Sequence, residues 1–264
     1  MKNGTVSLDK VTMDYVSFGH GPKNVIIIPG LSDGLATVKG KALFLSAPYK
    51  EYFDSFTIYM FSRRNDLPAG FSIKDMADDQ ARALKELGIE KTSVLGVSQG
   101  GMIAQELAID YPGLIEKAVI AVSAPSVNEV IKERLDRWIS LAEKGDHKEL
   151  MIDTAENSYS ESYLSKYRKA YPLLGHIGRP KDYKRFLANA KAILAFNSED
   201  DLPKIKCPVL IIAGSDDRIV GVDASKRLHG LIKDSELYIY EGLGHAAYEE
   251  AKDFNKRVFA FLGR

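Results

Sequence analysis

At 264 residues the chain can bury a substantial core without a metal, a disulfide or a partner, and its 45% hydrophobic and 27% charged residues match an ordinary globular protein, which argues against disorder and membrane embedding. Thirty-six basic side chains balance 36 acidic ones. That balance excludes a global attraction to nucleic acid or to an anionic bilayer, so the expected partner is a small molecule, with no nucleic acid and no membrane.

Residues 1–19 alternate polar and apolar side chains and lack the continuous apolar segment and cleavage site of a secretory leader, so a cytoplasmic setting is expected. The pattern predicts paired strands at 4–9 and 13–18, then a β-branched strand at 24–28 closed by Pro29-Gly30. A strand at 56–61 runs into the polar stretch 62–66. Ser72 caps a helix reaching about residue 87: Asp75 supports its first turn, Met76, Ala83, Leu84 and Leu87 share one face, and Gly88 ends it.

The rhythm repeats with a strand at 92–97, a helix at 99–111 and a strand at 117–122, and later a strand at 208–213, a helix at 223–231, a strand at 236–240 and a helix at 246–262. The lone cysteine, Cys207, opens an apolar run and reads as a packed thiol. Uniformly apolar strands alternating with helices imply the α/β class, with a mostly parallel central sheet flanked by helices on both faces. In such sheets ligands bind outside the C-terminal ends of the strands.

Residues 126–197 break this rhythm. They show helical patterning at 127–144, 148–158, 162–171 and 181–196 and no strand, which predicts a helical cap (lid) insertion at 126–197 over a core made of 1–125 and 198–264. Tyr159, Tyr163, Tyr167 and Tyr171 recur every four residues within it, among basic side chains that include Lys166, Arg168 and Lys169. A stripe of that period is first a packing face, with substrate contact and polyanion binding as its alternatives.

The chemistry follows the strand ends. Gly96-Val-Ser-Gln-Gly100 lies between a predicted strand and a predicted helix, where small residues permit a sharp turn that lifts the Ser98 hydroxyl clear of the sheet at a helix N-terminus. A serine needs a base, and the base needs an orienting acid. Of five histidines, His20, His147, His176, His229 and His245, only His245 directly follows a strand, in a loop with Gly242 and Gly244. By the same rule the acid is Asp216 or Asp217, after the strand that ends at Ala213. Two backbone N–H groups complete an oxyanion hole: Gln99, next to the serine, and Leu31, in the turn after the 24–28 strand.

With P-G-L-S-D-G at 29–34, G-V-S-Q-G-G at 96–101, A-G-S-D-D-R-I-V at 213–220 and G-L-G-H at 242–245, nearly the whole chain resembles the α/β-hydrolase superfamily, of the small, cap-bearing serine esterase type. The resemblance implies the α/β-hydrolase fold, selects Asp217 over Asp216 by its spacing from Gly214, and assigns Ser98, Asp217 and His245 as a catalytic triad. Pro29 stands where the family has histidine, and the stretch 60–72 is longer than the family's Asp-x-Arg-Gly-x-Gly-x-Ser loop. Serine at 98 separates the chain from haloalkane dehalogenases, which use aspartate.

No cofactor is expected, since the triad suffices for acyl transfer. No metal is expected either, because the sequence holds no HExxH and no Cys/His cluster. Residues 34–41 fail as a phosphate loop: the glycine spacing is one residue too long, and Ala42 stands at the Ser/Thr place. The expected activity is cleavage of a carboxylic ester or related small acyl substrate through an acyl-enzyme. A lactonase, a thioesterase or a C–C bond hydrolase on the same triad, or a slow-turnover ligand sensor of the same fold, are the alternatives.

Overall fold

The computed structural model describes residues 1–176 and 178–264. Its eight strands are β1 (Lys2–Leu8), β2 (Val11–Gly19), β3 (Lys23–Ile28), β4 (Phe56–Arg64), β5 (Thr92–Val97), β6 (Ile115–Ala121), β7 (Val209–Gly214) and β8 (Ser235–Tyr240), and they form one sheet in the order β1-β2-β4-β3-β5-β6-β7-β8. Only β2 runs against the rest: it pairs antiparallel with β1 and β4, while β4, β3, β5, β6, β7 and β8 are mutually parallel.

Strand alternation sorts the core onto two faces. Ile26, Ile28, Val94, Ile120 and Ile211 pack with Met76, Leu84, Ile103 and Leu107, which belong to α2 (Ile73–Glu86) and α3 (Gln99–Asp110). Val25, Ile27, Leu95, Val119 and Ile212 pack on the opposite face with Ala42, Val258 and Phe259, from α1 (Ala42–Leu45) and α10 (Phe254–Gly263). A strand buried on both sides has no polar phase, hence the unbroken apolar runs.

Among the described residues, four α-helices lie between β6 and β7, α4 (Glu129–Glu143), α5 (His147–Ser158), α6 (Glu161–Tyr167) and α7 (Lys184–Leu194), with α8 (Val222–Leu231) and α9 (Ala247–Glu250) following later. A bridge between Ser126 and Asn197 joins the two ends of this inserted stretch. Behind the bridge, Ser198 Oγ donates to Gln105 Oε1 at 2.8 Å and Gln105 Nε2 to the Ala124 carbonyl at 3.1 Å, fixing both ends to α3. Among the described residues no helix is long and apolar enough to cross a membrane.

Four expected elements are corrected. The strand predicted at 56–61 continues through Ser62, Arg63 and Arg64, because Arg64 pairs with Met13 of β2 and the polar side chains find buried partners: Ser62 Oγ accepts the Val38 N–H at 2.9 Å and Arg64 forks onto Asp79 at 2.6 Å. The helix predicted at 246–262 is two, since Ala251 is extended and Asp253 holds the Tyr240 hydroxyl at 3.0 Å. The helix predicted at 162–171 becomes a 3-10 turn after Tyr167, so Tyr171 leaves the tyrosine face and its hydroxyl reaches Glu156 at 2.7 Å. The helix predicted at 181–196 begins only at Lys184, with Lys184 N–H bonded to the Asp182 carboxylate. Cys207 is half-buried, and burial pushes its thiol up to about 11.

Candidate active site

Ser98 follows β5 directly and precedes α3, with φ 55° and ψ −118°, a conformation few non-glycine residues adopt. The flanking glycines make that turn possible. A Cβ on Gly100 would stand 1.9 Å from the Ile28 carbonyl oxygen, and one on Gly96 would stand 2.2 Å from that of Gly100. Three bonds hold the serine backbone: Ser98 N–H to Ala121 O at 2.9 Å, Gly101 N–H to Ser98 O at 2.8 Å, and Ser123 Oγ to Ser98 O at 2.8 Å.

His245 arrives from the loop after β8, and Asp217 from the loop after β7. Those loops press together: a Cβ on Gly214 would meet the Leu243 and Gly244 carbonyls at 2.3 Å, and the Asp216 N–H donates to Leu243 O at 2.9 Å. His245 Nε2 lies 2.9 Å from Ser98 Oγ, and its Nδ1 lies 2.8 Å from Asp217 Oδ2. The other carboxylate oxygen, Asp217 Oδ1, accepts the Ile219 and Val220 N–H groups at 2.8 and 3.0 Å. Burial would raise this carboxyl; the charge and hydrogen bond of His245, together with the two N–H groups, outweigh it and hold Asp217 below the usual carboxylate range. Asp216 turns away and accepts from Ser215 Oγ at 2.8 Å.

The two expected N–H donors lie at the starts of helical segments next to the serine, Gln99 in sequence and Leu31 in space. Gln99 is the first residue of α3, and Leu31 is the first of a 3-10 turn spanning Leu31–Gly34, so neither N–H is used within its own helix. Gly30 lies against the serine: a Cβ there would be 3.2 Å from Ser98 Cβ. The structure thus brings Ser98, His245 and Asp217 into one hydrogen-bonded chain, with Gln99 directly following the serine and Gly30, the neighbour of Leu31, packed against it.

Sequence reasoning missed the polar layer behind these donors. The Arg63 guanidinium is fully buried, and its Nη2 donates to Gln99 Oε1 at 2.8 Å. Burial, reinforced by Arg185 and opposed by Asp33, pulls its pKa down to about 10. The available signal was Arg63-Arg64, one residue after the apolar run at 56–61. In the inserted stretch, Tyr159, Tyr163 and Tyr167 follow one another with ring centroids 4.4 Å apart, and the first two line a cleft with Arg218 and the Gly242–Gly244 loop. Arg168 is committed to Glu156 and Glu161. Among the described residues no cluster of His, Cys, Asp or Glu could hold a metal ion.

The sequence profile of the α/β-hydrolase fold family matches residues 24–252. This chain belongs to the α/β-hydrolase fold family. Among relatives of this α/β-hydrolase is a 2-hydroxy-6-oxononadienedioate/2-hydroxy-6-oxononatrienedioate hydrolase from a Pseudomonas species, 30% identical over 69% of this chain and 66% of its own length, just under two thirds. Its fold matches that of an α/β-hydrolase enzyme from a Medee basin deep-sea metagenome library, with a TM-score of 0.85 at 22% identity over 99% of this chain and 98% of that one. It also matches the enol-lactonase of Burkholderia xenovorans, with a TM-score of 0.83 at 19% identity over 99% and 100%. The chain is therefore an α/β-fold hydrolase.

Proposed function

We propose that this hydrolase is a serine enzyme that cleaves a carboxylic ester or a closely related small acyl compound, with residues 126–197 serving as its cap. The observation that carries the reading is the chain Ser98 Oγ, His245 Nε2, His245 Nδ1, Asp217 Oδ2, with links of 2.9 and 2.8 Å.

Asp217 Oδ2 accepts a hydrogen bond from His245 Nδ1–H, which keeps that proton on Nδ1 and leaves Nε2 free to take the proton of Ser98 as Oγ attacks the carbonyl carbon. Negative charge then develops on the carbonyl oxygen, where the Gln99 and Leu31 N–H groups receive it; donors of this kind contribute roughly 3–4 kcal/mol each. His245 returns the proton to the leaving group, and an acyl-Ser98 ester remains. Water, deprotonated by His245, attacks that ester and releases the acid and the free enzyme.

The substrate reading rests on the surroundings. A cavity of about 320 Å³ lined by Pro29, Leu35, Val38, Leu45, Met60 and Met151 begins one residue before Gly30 and is mostly apolar, which suits a short to medium acyl chain. The relative named for an oxo-dienedioate substrate supports hydrolysis of a small acyl compound and leaves lactones, thioesters and C–C bonds within the class to be assayed.

The test is a panel of aryl esters, lactones and thioesters of graded acyl length, run with wild type and Ser98→Ala. The variant should keep its fold and lose roughly four or more orders of magnitude in kcat on every substrate the wild type turns over. Equal turnover by the two would refute the serine mechanism.

A further inference from the structure

Both oxyanion donors are backed by one buried ion network whose third corner lies in the inserted helices. Asp33 sits in the same 3-10 turn as Leu31. Its Oδ2 accepts the Arg63 N–H at 3.1 Å and Arg185 Nη2 at 2.7 Å. From α7, Arg185 also donates Nε to the Asp33 carbonyl at 3.1 Å and Nη2 to the Arg63 carbonyl at 2.9 Å. Arg63 in turn holds Gln99 Oε1, while Gln99 Nε2 donates to the carbonyl of Asn189, one helical turn after Arg185 on α7. Asp33 and Arg63 side chains are 1% and 0% exposed, and Gln99 and Asn189 are fully buried.

Two guanidiniums around one carboxylate leave a buried excess of positive charge, and well-packed apolar residues would serve stability as well or better. What such a cluster supplies is direction: the Arg185 fork fixes the backbone carbonyls it grips at Asp33 and Arg63, and Arg63 holds the Gln99 side chain by a single bond. The gripped backbone segments are the Leu31–Gly34 turn and the end of β4, and the first residue of α3 is held through both ends of the Gln99 side-chain amide.

We propose that Asp33, Arg63 and Arg185 are positioning residues, through which the seating of α7 on the core sets the Leu31 and Gln99 N–H groups at the spacing a tetrahedral oxyanion requires. The inference rests on the serine-hydrolase reading of the site. It gives the inserted helices a part in the rate as well as in substrate choice. Because the donors meet charge that develops only in the transition state, loosening the network lowers kcat and leaves KM nearly unchanged.

The experiment uses Arg185→Gln, whose side chain is partly exposed in the wild type, and Arg185→Lys as the conservative partner. Two rates are read: labelling of Ser98 by a fluorophosphonate, whose phosphonyl oxygen needs the same donors, and kcat and KM on the best ester of the panel. Arg185→Gln should slow labelling and kcat roughly tenfold or more with KM within about twofold; Arg185→Lys should recover part of both, and it carries the test if the glutamine variant melts early. Labelling at the wild-type rate in both variants, or a rise in KM with kcat intact, overturns the inference alone. A wild-type Ser98 that resists labelling overturns the serine reading beneath it.

Discussion

Ser98 occupies a backbone conformation that costs of the order of 1–3 kcal/mol, and the bonds from Ala121, Gly101 and Ser123 hold it there. The strain aims one hydroxyl, and His245 Nε2 meets it. Asp217→Asn should preserve the fold but turn an amide toward Nδ1, favouring the wrong imidazole tautomer; the expected loss in kcat is about 10⁴-fold. Asp216→Asn, altered in the same assay, should leave turnover unchanged, because Asp216 bonds Ser215 and not the histidine. Equal losses in the two variants would remove Asp217 from its assigned place. These residues were legible because each falls directly after a strand, where α/β sheets gather their chemistry. Choosing between adjacent aspartates took the spacing from Gly214, and the structure supplies the physical reason: Ile219 and Val220 hold one Asp217 oxygen and free the other for His245. Arg63, Asp33 and Asn189 were not legible as a group. Together with Arg185 and Gln99 they are joined by bonds between residues 30 to 152 positions apart in sequence, and no local pattern encodes it.

Element boundaries follow side chains that satisfy backbone or buried polar groups. Ser72 and Asp75 form a reciprocal capping box, Ser72 Oγ accepting the Asp75 N–H at 3.1 Å while Asp75 accepts the Ser72 N–H at 2.8 Å. Ser72→Ala should therefore lower stability by about 1 kcal/mol, read as a reduced denaturant midpoint, with turnover intact because Ser72 and Asp75 bond each other and no triad residue. A midpoint equal to wild type would mean that solvent replaces the cap. That helix was readable since its start, apolar face and stop are all local. The end of β4 was not, because Ser62, Arg63 and Arg64 look like loop residues until Val38, Asp33, Gln99 and Asp79 close around them. The split of the last helix was equally hidden: the Asp253 contact with Tyr240 crosses from one element to another.

At the scale of the molecule, buried charge makes stability depend on pH. Glu106, on α3, is pushed up to about 7 by burial, assisted by Asp110, Asp201 and Asp78 and opposed by Lys74. Its folded value lies above its unfolded one, so the native state holds a proton that the unfolded chain releases. Stability from this group is complete below the unfolded value near 4.5 and falls as pH rises through about 7. Asp217 has the opposite sign: its folded value is depressed, so its contribution is present above the unfolded carboxylate range and is lost as pH falls through the lower folded value. Glu106→Gln should melt like wild type at pH 4 and be more stable by about 1–2 kcal/mol at pH 8, the shift being discounted for solvent screening. A constant difference across that range would place the effect in packing.

The bridge between Ser126 and Asn197 sets the two ends of the inserted helices side by side, separated by about one strand spacing. An excursion whose ends already meet closes a loop the core has prepared, and the entropy of closure grows only as the logarithm of its length, about 0.6 kcal/mol for each doubling. On the proposed reading, exchange of the inserted segment for another of different size is expected to leave the sheet folded, and to keep the turnover only if the newcomer presents a cation to Asp33, as Arg185 does. That single carboxylate is where a replaceable covering would have to meet an unchanged sheet.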